Sequence, residues 1–205
     1  MTETTGSLFI ISAPSGAGKT SLVRALLQLG LSLSLSISHT TRPPRSEEVN
    51  GRDYHFVSMD IFQTMLGNGE FLESAEVYGN LYGTSQKWIN EAVAAGKDIL
   101  LEIDCQGAHQ VQRIFPNAVA IFVLPPSIDA LERRLRTRGQ DNSEVIQKRL
   151  AASREEVTHI NEFDYVIVNN DLDEALSDLL CIIKAERLKR VRQLLKYRSL
   201  MVQLS

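Results

Sequence analysis

No stretch of about twenty apolar residues occurs anywhere in this 205-residue chain, which excludes a membrane-spanning helix. Cysteine is scarce. Cys105 and Cys181 stand far apart, so neither a disulfide framework nor a thiolate metal site is spelled out, and reduced thiols in a cytoplasmic setting are expected. The four histidines fall at no metal-ligand spacing with one another or with the cysteines. Basic charge is not in excess: the formal net charge is −3, which argues against nucleic acid as a partner. The polar residues 1–6 lack the basic-then-apolar layout of a secretion signal. Apolar material for a packed core is there, with 43% hydrophobic residues against 23% charged, and this excludes a disordered chain.

Four short apolar runs, residues 8–11, 99–103, 119–124 and 165–168, read as buried strands of a parallel sheet. A fifth, 31–37, alternates Leu or Ile with Ser, the period-two pattern of a half-buried strand. Helical patterns separate them: 19–29 stopping at Gly30, 86–95 at Gly96, 129–138 at Gly139, and one long amphipathic helix over 172–195. Asp141 with Glu144 three residues on reads as an N-cap and its capping-box partner. Strands alternating with helices predict an α/β fold whose core is a five-stranded parallel sheet flanked by helices. Two stretches interrupt it. Residues 38–97, with Pro43, Pro44 and many polar and aromatic side chains, read as an inserted subdomain; 127–154 read as an arginine-rich lid. The core is then 1–37, 98–126 and 155–205.

The first chemical motif is Ser12-Ala13-Pro14-Ser15-Gly16-Ala17-Gly18-Lys19-Thr20-Ser21, placed after a strand and opening a helix. That is the context of a P-loop, whose inward N–H groups and helix N-terminus cradle the phosphates of a nucleoside triphosphate. Lys19 supplies a mobile full charge to the β- and γ-phosphates, and Thr20 offers its hydroxyl to Mg²⁺. Ala13 stands where the strict pattern has glycine, which is tolerable if its φ stays negative. A P-loop by itself leaves ATPase, GTPase and kinase open.

Arg42 and Arg45, near Tyr54 and Tyr82, form a plausible clamp for a phosphate monoester, since guanidinium forks and phenolic hydroxyls suit phosphate oxygens. The block Ser38-His39-Thr40-Thr41-Arg42-Pro43-Pro44-Arg45 through Gly51-Arg52-Asp53-Tyr54-His55-Phe56-Val57 resembles the GMP-binding signature of guanylate kinases. The likeness continues through Gly69-Glu70-Phe71-Leu72-Glu73, Tyr82-Gly83-Thr84, Leu101-Glu102-Ile103-Asp104-Cys105-Gln106-Gly107 and Arg134-Leu135-Arg136-Thr137-Arg138-Gly139 to Val166-Ile167-Val168-Asn169-Asn170. The resemblance implies an ATP- and Mg²⁺-dependent kinase of GMP or dGMP. It assigns Arg42, Arg45, Tyr54 and Tyr82 to the GMP phosphate, Glu73 to the guanine N–H groups, and Ser38 and Thr84 to the region of guanine O6. It sets Glu102 beside GMP, Asp104 near Mg²⁺, and Asn169 near the adenine. Arg134, Arg138 and Arg149 would meet the phosphates when the lid closes. Thr84 stands where the family often has serine, and Glu102 where it often has aspartate.

The chemistry is consistent with these roles. A carboxylate accepts both N–H donors of the guanine edge, and adenine would leave it unpaired. A monophosphate is largely dianionic at pH 7, so its oxygen is already a nucleophile and no catalytic His or Cys is required. A scaffold relative without catalysis is the competing reading, and the intact Gly18-Lys19-Thr20 argues against it. A kinase of another phosphorylated ribose compound is a third, and Glu73 and Thr84 argue against that. The basic C-terminal region, Lys184 to Arg198, reads as a solvated face; Leu188, Val191, Leu194 and Leu195 leave packing on the core or on a second copy both open.

Overall fold

The computed structural model describes residues 6–137 and 143–204. Strand β1 (Leu8–Ser12) runs into the glycine-rich loop and helix α1 (Lys19–Gln28), and β2 (Leu33–Leu35) follows. The interrupting stretch holds β3 (His39–Thr40), β4 (His55–Phe56), α2 (Met59–Gly67), β5 (Phe71–Val77), β6 (Asn80–Ser85) and α3 (Gln86–Ala94). The chain then returns to the core with β7 (Asp98–Glu102), α4 (Cys105–Ile114) and β8 (Val119–Leu124). Helices α5 (Ile128–Thr137) and α6 (Ser143–Thr158), strand β9 (Tyr165–Val168) and helix α7 (Leu172–Leu188) complete the body; α8 (Arg190–Lys196) and α9 (Arg198–Leu204) follow it.

The core sheet has five parallel strands in the order β2-β7-β1-β8-β9. Its central strands bury both faces, and the period of two divides their side chains between two cores. Phe9, Ile11, Leu100, Ile121 and Val123 pack on one face against Leu22, Val23 and Leu26 of α1 and Ala175, Leu179 and Ile183 of α7. Leu8, Ile10, Ile99, Leu101 and Ala120 pack on the other against Ile89 of α3 and Ala108 and Val111 of α4. Each fully buried large side chain contributes about 1.5–3 kcal/mol, so these layers hold the ends of β1 and β7 rigid. A second, four-stranded sheet, β4-β3-β6-β5, forms the wall opposite the glycine-rich loop, with β3 parallel to β4 and the other pairings antiparallel. Leu131 and Leu135 of α5 pack against Ile146 and Leu150 of α6 in a small separate cluster.

Two local expectations are corrected. The alternating run 31–37 is strand only at Leu33–Leu35; Ser32 takes a positive φ of 51°, which keeps Leu31 and Ser32 out of the strand. Ser36 and Ser38 are buried rather than turned to solvent: the Ser36 N–H donates to the Leu100 carbonyl of β7, and the Ser38 carbonyl accepts from the His55 N–H of β4. The single helix over 172–195 is also not continuous. Helix α7 stops at Lys189, which is extended with φ −52° and ψ 136°. Arg187 reaches back to Asp98 Oδ2 at 2.7 Å and to the Leu31 carbonyl at 2.9 Å, and no residue of α8 or α9 is buried. Past Arg187 the apolar periodicity has no core to face. The expected N-cap at Asp141 lies outside the described residues.

Candidate active site

The loop after β1 makes its turn with Gly16 and Gly18 at positive φ; Gly18, at 95°, is the N-cap of α1. A side chain at Gly18 would also stand 2.3 Å from Asn169 Nδ2, so glycine is required there on two counts. Ala13 is buried in the core and is not among the positive-φ residues, so its methyl group is accommodated. The loop is held from behind. Asn169, at the end of β9, donates through Nδ2 to the Ala17 carbonyl at 2.8 Å. Arg134 donates to the same carbonyl at 3.1 Å and to the Asn169 carbonyl at 2.9 Å. The Lys19 ammonium donates to the Ile103 carbonyl at 2.8 Å, and the Thr20 hydroxyl donates to Glu102 Oε1 at 2.5 Å.

Across the cavity, Arg42 is braced from three sides. Its guanidinium donates to Glu48 Oε1 at 2.9 Å, to the Tyr82 hydroxyl at 3.2 Å and to the Pro43 carbonyl at 2.8 Å, and stands 5.5 Å over the Tyr54 ring. Glu48 also accepts the Arg45 backbone N–H at 2.8 Å and faces the Arg45 guanidinium at 3.6 Å. Burial opposes ionisation of Glu48, but these arginine contacts outweigh it and hold the carboxyl below its ordinary range. Burial raises the Tyr54 phenol well above the usual value, so its hydroxyl stays a donor.

Deeper in this wall, Glu73 of β5 is 3% exposed and accepts the Thr84 hydroxyl of β6 at 2.6 Å. Ser38 Oγ is 3.4 Å from that hydroxyl. The other Glu73 oxygen abuts the first turn of α4: a Cβ on Gly107 would meet it at 2.6 Å, so only glycine lets the carboxylate approach. Asp104 caps the same turn, accepting the Gly107 N–H at 2.9 Å. Burial lifts Glu73 to about 7, with the neighbouring Asp104 adding to the rise and the Thr84 hydrogen bond opposing it.

All the residues singled out from sequence line one cavity of about 680 Å³, save three. Ala17 and Thr84 are buried behind its walls, and Arg138 lies outside the described residues. Arg149 of α6 reaches across the mouth, its guanidinium 5.2 Å over the Tyr78 ring. A second recess of about 650 Å³ adjoins the loop, lined by Pro126, Ala130, Arg133, Arg134, Thr137 and Asn170. Glu102 and Asp104, two residues apart at the end of β7, point apart, Glu102 to Thr20 and Asp104 toward the Glu73 side. Sequence reading missed Glu48 and Glu156. Glu48 carried a signal, an acid three residues after Arg45. Glu156 carried none, because only the packing of α6 brings it to the cavity.

A cradle for one polyphosphate and a clamp for a second phosphate thus open onto a common space, at the carboxyl ends of parallel strands. The class of protein so defined is a P-loop nucleoside monophosphate kinase. The guanylate kinase family model matches residues 5–186. The guanylate kinase of Nitrosospira multiformis is 63% identical over 205 residues, covering 100% of this chain and 98% of that protein. That of Nitrosomonas europaea is 60% identical, covering 97% and 98%. The crystal structure of guanylate kinase from Anaplasma phagocytophilum superposes with a TM-score of 0.77 at 34% identity, over 93% of this chain and 90% of that one. The chain belongs to the guanylate kinase family, and is a nucleotide-binding transferase of that family.

Proposed function

We propose that the chain transfers the γ-phosphoryl group of ATP to GMP or dGMP, giving ADP and GDP, as a cytoplasmic enzyme of purine nucleotide metabolism. The observation that carries this reading is the buried Glu73, set against Thr84 and Ser38 in the same cavity as the phosphate loop. In its ionised form Glu73 accepts the guanine N1–H and 2-amino N–H together, while the Ser38 and Thr84 hydroxyls serve O6. Arg42, Arg45, Tyr54 and Tyr82 bind the GMP phosphate, with Glu48 keeping both arginines in place. On the other side, residues 13–21 hold the ATP phosphates, and the adenine occupies the recess lined by Arg134 and Asn170, next to Asn169 of the main cavity.

Lys19 leaves the Ile103 carbonyl for the β- and γ-phosphates. A GMP phosphate oxygen then attacks the γ-phosphorus, the bond to the bridging oxygen of ADP breaks, and no proton need move. Arg42, Arg134 and Arg149, and Arg138 from beyond the described residues, neutralise the charge on the transferred group. Closure of 127–154 over the core excludes water, and 38–97 acts as the GMP-binding unit. Mg²⁺ fits the kind of donor present: Thr20, in contact with Glu102, and Asp104 on the same cavity offer only oxygen, and Mg²⁺ takes few protein ligands when phosphates supply the rest. When bound, it would supply positive charge that offsets the charge of the ATP phosphates. Nucleic acid and membrane are not partners in this reading, and no helix among the described residues is long and apolar enough to cross a membrane. The apolar side chains that α8 and α9 leave exposed, Val191, Leu194, Leu200 and Val202 among them, support a homo-oligomer through this end.

The test is ADP release with GMP, dGMP, AMP, CMP and UMP, each with Mg²⁺. GMP is expected to exceed the other bases by at least about 10³-fold in kcat/KM. Equal rates with AMP would overturn the Glu73 assignment.

A further inference from the structure

Strand β5, which carries Glu73, lies at the edge of the four-stranded sheet, so the main-chain groups along its outer side have no strand to pair with. Its pairing with β6 is also irregular, with a register shift between Phe71 and Glu73. The sheet alone thus holds the neighbourhood of Glu73 from one side only.

Helix α4 supplies the other side. The Gln110 side chain accepts the Ser74 N–H through Oε1 at 3.1 Å and donates through Nε2 to the Ser74 carbonyl at 2.8 Å. Its primary amide stands in for the missing strand, offering one acceptor and one donor as a peptide would. Ser74 is the residue after Glu73, and α4 is itself fixed in the core through Ala108 and Val111. Asp104, Gly107 and Gln110 recur every three residues and form one stripe of the helix. Asp104 caps the helix at Gly107, Gly107 leaves room for Glu73 Oε2, and Gln110 grips Ser74. Gln110 does not line the cavity, so its influence on a ligand passes through β5. We propose that Gln110 is a positioning residue for base recognition: its amide locks β5 to α4 at Ser74 and so holds Glu73 where it meets two purine N–H donors. This rests on the base-reading role given to Glu73 above.

The test is steady-state kinetics of the full chain with GMP and with IMP, which lacks the 2-amino group and offers Glu73 one donor in place of two. The parent should favour GMP by about 10²-fold in kcat/KM. Gln110→Ala, which suits a helix, should raise KM for GMP about tenfold and cut that preference to about tenfold or less, with KM for ATP within about twofold of the parent. Gln110→Met keeps the length and the packing but lacks both hydrogen bonds; it should behave as Gln110→Ala, and serves if the alanine variant does not fold. Adding Gln110→Ala to Glu73→Gln should move KM for GMP by less than about twofold, because a positioner then has nothing left to position. A GMP preference unchanged in the Gln110 variants, equal losses with GMP and IMP, or losses that multiply in the double variant would each overturn the proposal, since a purely structural role weakens both ligands alike. If Glu73→Gln itself keeps the preference for GMP, the base-reading role fails first, and this inference with it.

Discussion

Replacing Glu73 with glutamine should weaken GMP binding and stabilise the free protein at once. The two effects have one source, a carboxylate held 3% exposed against Thr84. Glutamine keeps one acceptor, which the Thr84 hydroxyl claims, and turns an amide N–H toward the guanine donors. Hydrogen bonds to a charged acceptor contribute about 1.5–3 kcal/mol each, so losing one and opposing another removes about 3 kcal/mol, or roughly 10² in KM for GMP. For the free protein, burial lifts Glu73 from 4.5 to about 7. Between those pH values the folded state holds more protons than the unfolded, so this group's contribution makes stability fall as pH rises through the window. Above pH 7 the buried charge costs about 3 kcal/mol, which Glu73→Gln removes. Thermal melts of parent and variant should therefore agree near pH 4.5 and separate by several degrees at pH 8, the variant being the more stable. The same titration predicts that the parent's KM for GMP falls as pH rises toward and past 7, a dependence the variant lacks. An unchanged KM in the variant, or a variant less stable than the parent at pH 8, would refute the reasoning.

On the role proposed for Lys19 at the ATP phosphates, Lys19→Ala should reduce turnover by about 10³-fold or more while GMP affinity by calorimetry changes far less; near-normal turnover would require a different cradle. Chelation of Mg²⁺ should abolish turnover and leave GMP binding intact, since Arg42, Arg45 and Glu73 need no metal; a GMP affinity that collapsed on chelation would place the ion at the acceptor site.

The sequence by itself determined the core sheet, the phosphate cradle and the class of acceptor. The runs at 8–11, 99–103 and 119–124 became β1, β7 and β8 almost residue for residue, because a strand buried on both faces must be apolar throughout, and 165–168 became the edge strand β9, whose Val166 and Val168 stay exposed. The cradle was equally legible, since its chemistry lies in main-chain N–H groups and needs only glycine, lysine and a hydroxyl at fixed local spacing. Tertiary structure decided what local pattern does not encode. The alternation in 31–37 spells more strand than the sheet edge accepts, and the helix at 172–195 is as long as the core it covers, not as its periodicity. Of the twenty-five acids, Glu102 and Asp104 were singled out only through the family resemblance, and Glu48 and Glu156 not at all. Only the folded chain aims Glu48 at two arginines, Glu102 at Thr20 and Asp104 at the turn beside Glu73, and brings Glu156 to the cavity, because side-chain partners are set by the packing of elements that lie far apart in sequence.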